Sequence, residues 1–433
     1  MWPVPSSCAF PSWTNPELPL MDQNGKRTAH FGSDTQETGP GDRPLFTRSF
    51  VAFNAITFLS FCNIAIFFQF HDYLGTLPID PRWSGFLIAV FSLVVLVVRP
   101  FISPFLNESN SRKWLLISTG AVIFSLFLYD RARTVETMTL VRLAHGGGYA
   151  VMNTALVALL VGYIPPGRSG QAFGLFSIIT LLPYALVPPV IAPVMAWAGG
   201  FGRVLDLSAL FMALTFPLAL LLKPALAEKA GPETSGPWAR AMLENLRDPR
   251  ILILLFISLI VWTTFAPVFF FLESYGDSLG IPNAGWFFTL STFAEIGVRV
   301  VAGKAFDRYD KQRMLVGAVA WLGLGFLFLG GVSSMTGLLG VGVFLGLGWG
   351  VVMPLLTAIV FDISDPRFRS LNTNLTMVIF QAGFFLGPLL GGAVLLRWRH
   401  GILYDGSGVM LLITAALVLM LRKQQAEPDI APE

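Results

Sequence analysis

Cysteine is nearly absent from this chain, with two in 433 residues, Cys8 and Cys62. They cannot build a disulfide framework, and neither sits at a metal-binding spacing. Histidine is almost as scarce: of the four, His30 and His400 lie outside the apolar segments. No Ser/His/Asp set, metal-ligating cluster or phosphate-cradling loop is present, so neither an enzyme nor a cofactor-binding protein is expected. Charge is thin as well, at 13% of residues against 54% apolar, with a mean hydropathy of +0.66. That excludes an ordinary soluble domain, in which about a quarter of residues are charged. The net charge of +3 carries no message about nucleic acid, and no such partner is expected. What matters is where the cations lie.

What the chain does have is long apolar runs. A bilayer core takes about 20 apolar residues per helix, and twelve such segments can be drawn. They lie near 46–70, 84–106, 114–130, 136–163, 170–196 and 203–222, then near 250–272, 285–306, 313–331, 335–361, 370–396 and 402–421. Residues 1–43 are rich in Pro, Gly, Ser and Thr and read as a disordered tail without a signal peptide; Met21 is an alternative start. The expected organisation is a tail (1–43), a six-helix bundle (44–222), a polar linker (223–249), a second six-helix bundle (250–422) and a second tail (423–433). The fold class is therefore an all-α membrane protein of twelve helices in two pseudo-repeats.

Lys and Arg set the orientation. With the N-terminus inside, fourteen cations fall in inner loops and six in the tails, against six in outer loops. Both termini are thus expected in the cytoplasm, and the chain in the cytoplasmic (inner) membrane as a multi-pass protein. The halves also repeat at a spacing of 200 residues: Arg99 with Arg299, Ser103 with Gly303, Asn107 with Asp307, Gly146 with Gly346, Gly148 with Gly348 and Pro188 with Pro388. A repeat built from membrane-length segments marks a secondary transporter made of two like halves.

Gly303, Asp307, Arg308 and Arg313 stand in the pattern Gly-x-x-x-Asp-Arg-x-x-x-x-Arg, which resembles the loop signature of the major facilitator superfamily. Residues 142–150, with Arg142, His145, Gly146 and Gly148, resemble the fourth-span motif of its proton-coupled members, where Gln is usual at the position of His145. Gly383, Gly387, Pro388, Gly391 and Gly392 in span 11 resemble the tail of an antiporter motif that belongs in span 5. The matching places of span 5 hold Gly174, Pro183, Val187, Pro188 and Ala192. The resemblance implies a monomeric carrier working by alternating access, with spans 1, 4, 7 and 10 lining its path. It also implies a cytoplasmic gate, to which we assign Arg99, Asn107, Arg299, Gly303, Asp307, Arg308, Arg313 and Asp362. By the same analogy Asp307 should meet the start of span 5 near Ser169. Since Asn107 replaces the acid in the N-half copy, the gate is expected to be asymmetric.

Ionisable groups inside a bilayer cost about 2.5–3.5 kcal/mol each on insertion scales, so each needs a partner or a task. Arg142 and His145 share a face of span 4 and form either a proton or anion site, or an anchor holding neighbouring carbonyls. Glu295 and Arg299 are one turn apart, forming either a proton carrier or a self-neutralised pair. Asp72, Glu273 and Asp277, at outer span ends, are expected to be solvated. Asn54, Asn63, Asn153, Trp262, Trp349 and Gln381 are the candidate substrate contacts, which suit a small amphipathic organic solute. The expected activity is proton-coupled efflux. The alternatives are proton-linked import of an organic anion and a non-transporting receptor on the same fold. Besides membrane lipid, the partners implied are substrate and protons; no metal or cofactor is implied.

Overall fold

Twelve long helices account for almost all of the described residues. The structure is a computed structural model that describes residues 46–106, 109–163, 169–223, 248–364 and 369–426, without the side chains of residues 104, 161, 169–170, 302–308, 361, 369–371, 373–374 and 420–426. The helices are α1 (Arg48–Gly75), α2 (Pro81–Ile102), α3 (Ser111–Arg131), α4 (Val135–Tyr163), α5 (Ser169–Ala198), α6 (Phe201–Leu220), α7 (Pro249–Ser278), α8 (Trp286–Arg308), α9 (Lys311–Gly330), α10 (Met335–Ile363), α11 (Arg369–Leu395) and α12 (His400–Ala426). Among the described residues, eleven are long and apolar enough to cross a membrane. The twelfth, α8, carries Glu295 and Arg299, and its side chains are described only over residues 286–301.

Local chemistry explains several of the starts. The Thr47 hydroxyl accepts from the N–H of Phe50 to cap α1, and Ser334 accepts from Gly337 to cap α10. Asp248 and Asp310 accept from the first N–H groups of α7 and α9, with Pro249 at the first position of α7. These are the side chains that satisfy orphan donors at helix N-termini.

The packing of α1–α6 is repeated by α7–α12. Helix α2 packs on α4, α3 on α4, α1 on α5 and α3 on α6; correspondingly α8 packs on α10, α9 on α10, α7 on α11 and α9 on α12. The glycines show why the sequence repeat survives. A Cβ at Gly146 would fall on the carbonyl of Phe91, and one at Gly346 on the carbonyl of Ser291, 200 residues later. Gly148 meets Val122, while Gly348 meets Leu322. In both halves the fourth helix approaches its neighbours closely at these positions, and at Gly146, Gly346 and Gly348 a Cβ would have to displace what it meets.

The two most extensive seams between the halves are α2 with α11 and α5 with α8, and the far-face part of α1 also meets α7. Gly85 lies against the carbonyl of Pro388, and Gly285 against that of Pro188, again 200 residues apart. The α5–α8 seam has additional hydrogen bonds. Pro189 and Pro193 lack N–H groups and so release the carbonyls four residues before them, at Ala185 and Pro189. Thr289 donates to the first at 2.7 Å and Asn283 to the second at 2.9 Å. The described polar and ring contacts between the halves run from mid-helix to the face opposite the termini, here termed the far face.

Candidate functional site

Arg142 sits in α4 and is 2% exposed. Its Nε donates to the Leu87 carbonyl at 2.9 Å and its Nη2 to the Ile88 carbonyl at 2.6 Å. Nη1 reaches the Tyr129 hydroxyl at 3.5 Å. The rings of Phe67, Phe70 and Phe91 surround the guanidinium, with centroids 4.6–5.2 Å away. The charge is held by carbonyl oxygens and aromatic faces, an arrangement that suits a desolvated arginine.

His145 is fully buried one turn further along. Its two ring nitrogens engage the Asn63 amide at 3.1 Å and the Tyr129 hydroxyl at 2.9 Å. Asn63, His145, Tyr129 and Arg142 thus form one chain of polar contacts across α1, α3 and α4. The fourth member, Tyr129, was absent from the sequence-based assignment. Only its place at the end of span 3 could have pointed to it.

A narrow cavity opens beside this network, where the two halves meet. Ile64, Phe67, Phe91, Ser92, Arg142 and Tyr149 line it from α1, α2 and α4; Tyr184, Phe269, Phe270, Phe380, Gln381 and Phe384 line it from α5, α7 and α11. Of the six candidate substrate contacts, Gln381 is on this wall. Asn63 stands behind it, bonded to His145. Trp349 is 2% exposed and packed among Phe265, Phe287 and Phe326, so it belongs to the core of the second half. Trp262 is stacked edge-on against Phe380 at 4.4 Å, in the second ring of the wall. Asn54 donates to the Phe50 carbonyl of its own helix, and Asn153 is half-buried on α4. Of spans 1, 4, 7 and 10, expected to line the path, the first three contribute to this cavity and the tenth does not; α2, α5 and α11 complete its wall. A larger cavity, of ≈ 350 Å³, lies on the flank between α1, α5 and α6; Cys62 and Ser208 are its only polar lining residues.

Glu295 and Arg299 form an ion pair at 2.5 Å in α8. Arg299 also donates to the Ser177 hydroxyl at 2.8 Å, and Ser177 is on α5 of the other half. The pair is therefore neutralised and at the same time ties the halves together, a combination the sequence left open. Arg99, the counterpart in α2, is half-buried within electrostatic range of Tyr149.

The remaining gate residues are only partly visible. Asn107 lies outside the described residues, as do the side chains of Asp307, Arg308 and Ser169 and the surroundings of Gly303. Asp362 pairs with Lys311 at 2.7 Å, and Arg313 with Asp310 at 3.4 Å. Both pairs lie within the second half. One expectation needs correction: Glu273 is 6% exposed, and Asp72 is largely enclosed. They are not solvated, because α1 and α7 continue past the expected ends at 70 and 272 and carry these acids into the far end of the bundle. Asp277 is exposed as expected.

Comparison with known proteins agrees with this architecture. The family model described as Major Facilitator Superfamily matches residues 49–284 and 281–433. An uncharacterised transporter of that type from Bacillus subtilis, YuxJ, is 22% identical over 320 residues, covering 72% of this chain and 81% of its own. Sugar efflux transporter A of Escherichia coli is 24% identical over 340 residues, 75% of this chain and 83% of its own. The crystal structure of the nucleoside transporter NupG superposes with a TM-score of 0.66 at 17% identity, covering 89% of this chain and all of the other.

Proposed function

Because this chain belongs to the major facilitator superfamily, a family of multi-pass membrane transporters rather than enzymes, we propose that it exports a small amphipathic organic solute across the cytoplasmic membrane in exchange for protons. The observation that carries the substrate class is the cavity between the halves. Its wall is mostly Phe and Tyr, broken by Arg142, Ser92 and Gln381. Such a wall favours a solute with an aromatic or aliphatic body and few polar groups, which the arginine and the amide would orient. The cavity holds ≈ 40 Å³, far below the ~300 Å³ of even small ligand pockets. A solute therefore enters only when the halves part, as alternating access requires. A similarity to a sugar efflux transporter supports the outward direction, and the excess of Lys and Arg in alternate loops supports cytoplasmic termini.

Glu295 is the candidate proton carrier. Its charge is balanced by Arg299, which also grips Ser177 across the seam. A proton arriving on Glu295 releases one side of the guanidinium and changes what holds the halves together. Proton binding and seam opening are thereby coupled through one side chain. Arg142 and His145 brace the cavity wall and fix its shape, and the monomer is the working unit.

The test uses purified protein in liposomes, with an imposed pH gradient and an internal pH dye, while amphipathic compounds and organic acids are added. The expected result is substrate-driven proton flux that Glu295→Gln abolishes while the variant still binds substrate. Substrate movement that ignores the gradient would overturn the proton coupling. Flux of protons and solute in the same direction would overturn the exchange.

A further inference from the structure

The far-face ends of α1 and α7 bring together acids from both halves. Asp72 stands in the last turns of α1, and Glu273 and Asp277 in the last turns of α7; the charges of Glu273 and Asp277 both act on Asp72. The Gln69 amide and the N–H groups of Ala284 and Gly285 serve Glu273, but its Oε2 is buried with no hydrogen-bond partner. Asp72 Oδ2 is in the same condition. The Tyr404 hydroxyl of α12, fully buried and within electrostatic range of Asp72, also lacks a partner, as does Nε2 of His400. With Asn283 Oδ1 of the α7–α8 turn, five of the ten unpartnered buried side-chain polar atoms among the described residues belong to one end of the molecule.

Among the described residues no lysine or arginine pairs with these acids, and the two histidines at this end, His71 and His400, lie within electrostatic range of each other. His71 of α1 is turned to the Ser84 hydroxyl of α2 at 2.9 Å and lies edge-on to Phe271. From α12, His400 stacks on Tyr275, and Tyr404 packs beside it. Asp405 adds another negative charge near Tyr275. The arginines of the adjoining loops, Arg82, Arg397 and Arg399, are exposed, and none of the described ion pairs reaches Asp72, Glu273 or Asp277. Among the described residues no three His, Cys, Asp or Glu side chains are placed to hold a metal ion. Closing this seam therefore presses like charges together out of water. That is unfavourable unless a proton joins them. A protonated carboxyl also supplies the missing donor, since an ionised one only accepts.

We propose that Asp72 and Glu273 form a proton-binding latch, in which a proton taken from the far-face medium holds the two halves shut and its loss lets them part. The latch rests on the reading of the chain as an alternating-access transporter, but it is separate from Glu295. Because the closed seam holds the proton more tightly than the open one, raising the pH favours opening.

The test needs no substrate. The full-length protein, with Cys8 and Cys62 changed to Ser, is placed in lipid nanodiscs with spin labels at Trp83→Cys and Trp398→Cys. Both tryptophans are exposed, at 46% and 53%, and they flank the α2–α11 seam at its far end. The distance distribution is read by pulsed electron resonance from acid to alkaline pH. The expected result is a short distance in acid and a growing long-distance population in alkali. Asp72→Asn with Glu273→Gln should remain closed throughout, its open population in alkali falling about tenfold. Each single substitution should lower the steepness of the transition, which keeps the test sound if the double variant fails to fold. A distance independent of pH in the unsubstituted acids would overturn the latch. So would a transition that survives both substitutions, one that Glu295→Gln removes instead, or one that follows sodium concentration rather than pH. Since the readout is a distance, it stands whether or not the liposome assay finds a substrate.

Discussion

Arg142 and His145 show what a polar side chain must do to sit inside an apolar bundle. Both have partners at hydrogen-bonding distance, from three neighbouring helices in all. Arg142→Lys retains the charge but loses the fork that spans two adjacent carbonyls. The expected cost is about 1–3 kcal/mol, read as a lower unfolding temperature, together with slower transport. His145→Leu should orphan the Asn63 amide, leave the Tyr129 hydroxyl only its contact with Arg142, and cost a similar ~1–3 kcal/mol. His145→Gln offers one donor and one acceptor and should come close to the parent protein in the same melting measurement. Arg142 and His145 were legible in the sequence because ionisable residues inside apolar segments are rare. Tyr129 was not, because a tyrosine at a span end is ordinary until the fold points it at a histidine 16 residues away.

At the scale of elements, proline and glycine decide how helices meet. The four prolines of α5 were readable as kinks. Their second consequence emerges only when α8 is packed alongside: the carbonyls they release are taken up by Thr289 and Asn283. Thr289→Val should leave the Ala185 carbonyl unpaired in a buried seam, at a cost of about 1–3 kcal/mol. The expected readout is lower thermal stability with substrate affinity unchanged; a stability equal to that of the parent would show that the carbonyl finds another donor. Gly346→Val should be worse, because its Cβ would occupy the place of the Ser291 carbonyl. Overpacking of this kind costs about 1–3 kcal/mol or more, seen as poor recovery of folded protein. The ends of α1 and α7 carry the opposite lesson. Acidic residues read as span ends, yet both helices run on for a further turn past 70 and 272, which carries Asp72 and Glu273 into the bundle.

Across the whole molecule, the two halves are held from mid-helix to the far face by unlike seams. One is close backbone contact of Gly85 with Pro388 and of Gly392 with Gly85; the other adds hydrogen bonds from Thr289, Asn283 and Arg299. Ser177→Ala removes one of those cross-half bonds and leaves the Glu295–Arg299 pair intact. The expected outcome is a several-fold shift toward the far-side-open state, worth about 1 kcal/mol, measured with the same spin-label pair at fixed pH. The sequence by itself determined the class: helix number, helix lengths, the 200-residue repeat and the sidedness of charge follow from apolar run length and composition, which act locally and survive without coordinates. Only the tertiary structure decided which polar residues share a site. Ser177 joins Arg299, Gln69 joins Glu273 and Tyr129 joins Arg142 because kinked helices from distant parts of the chain cross there, and a one-dimensional pattern holds no measure of that crossing.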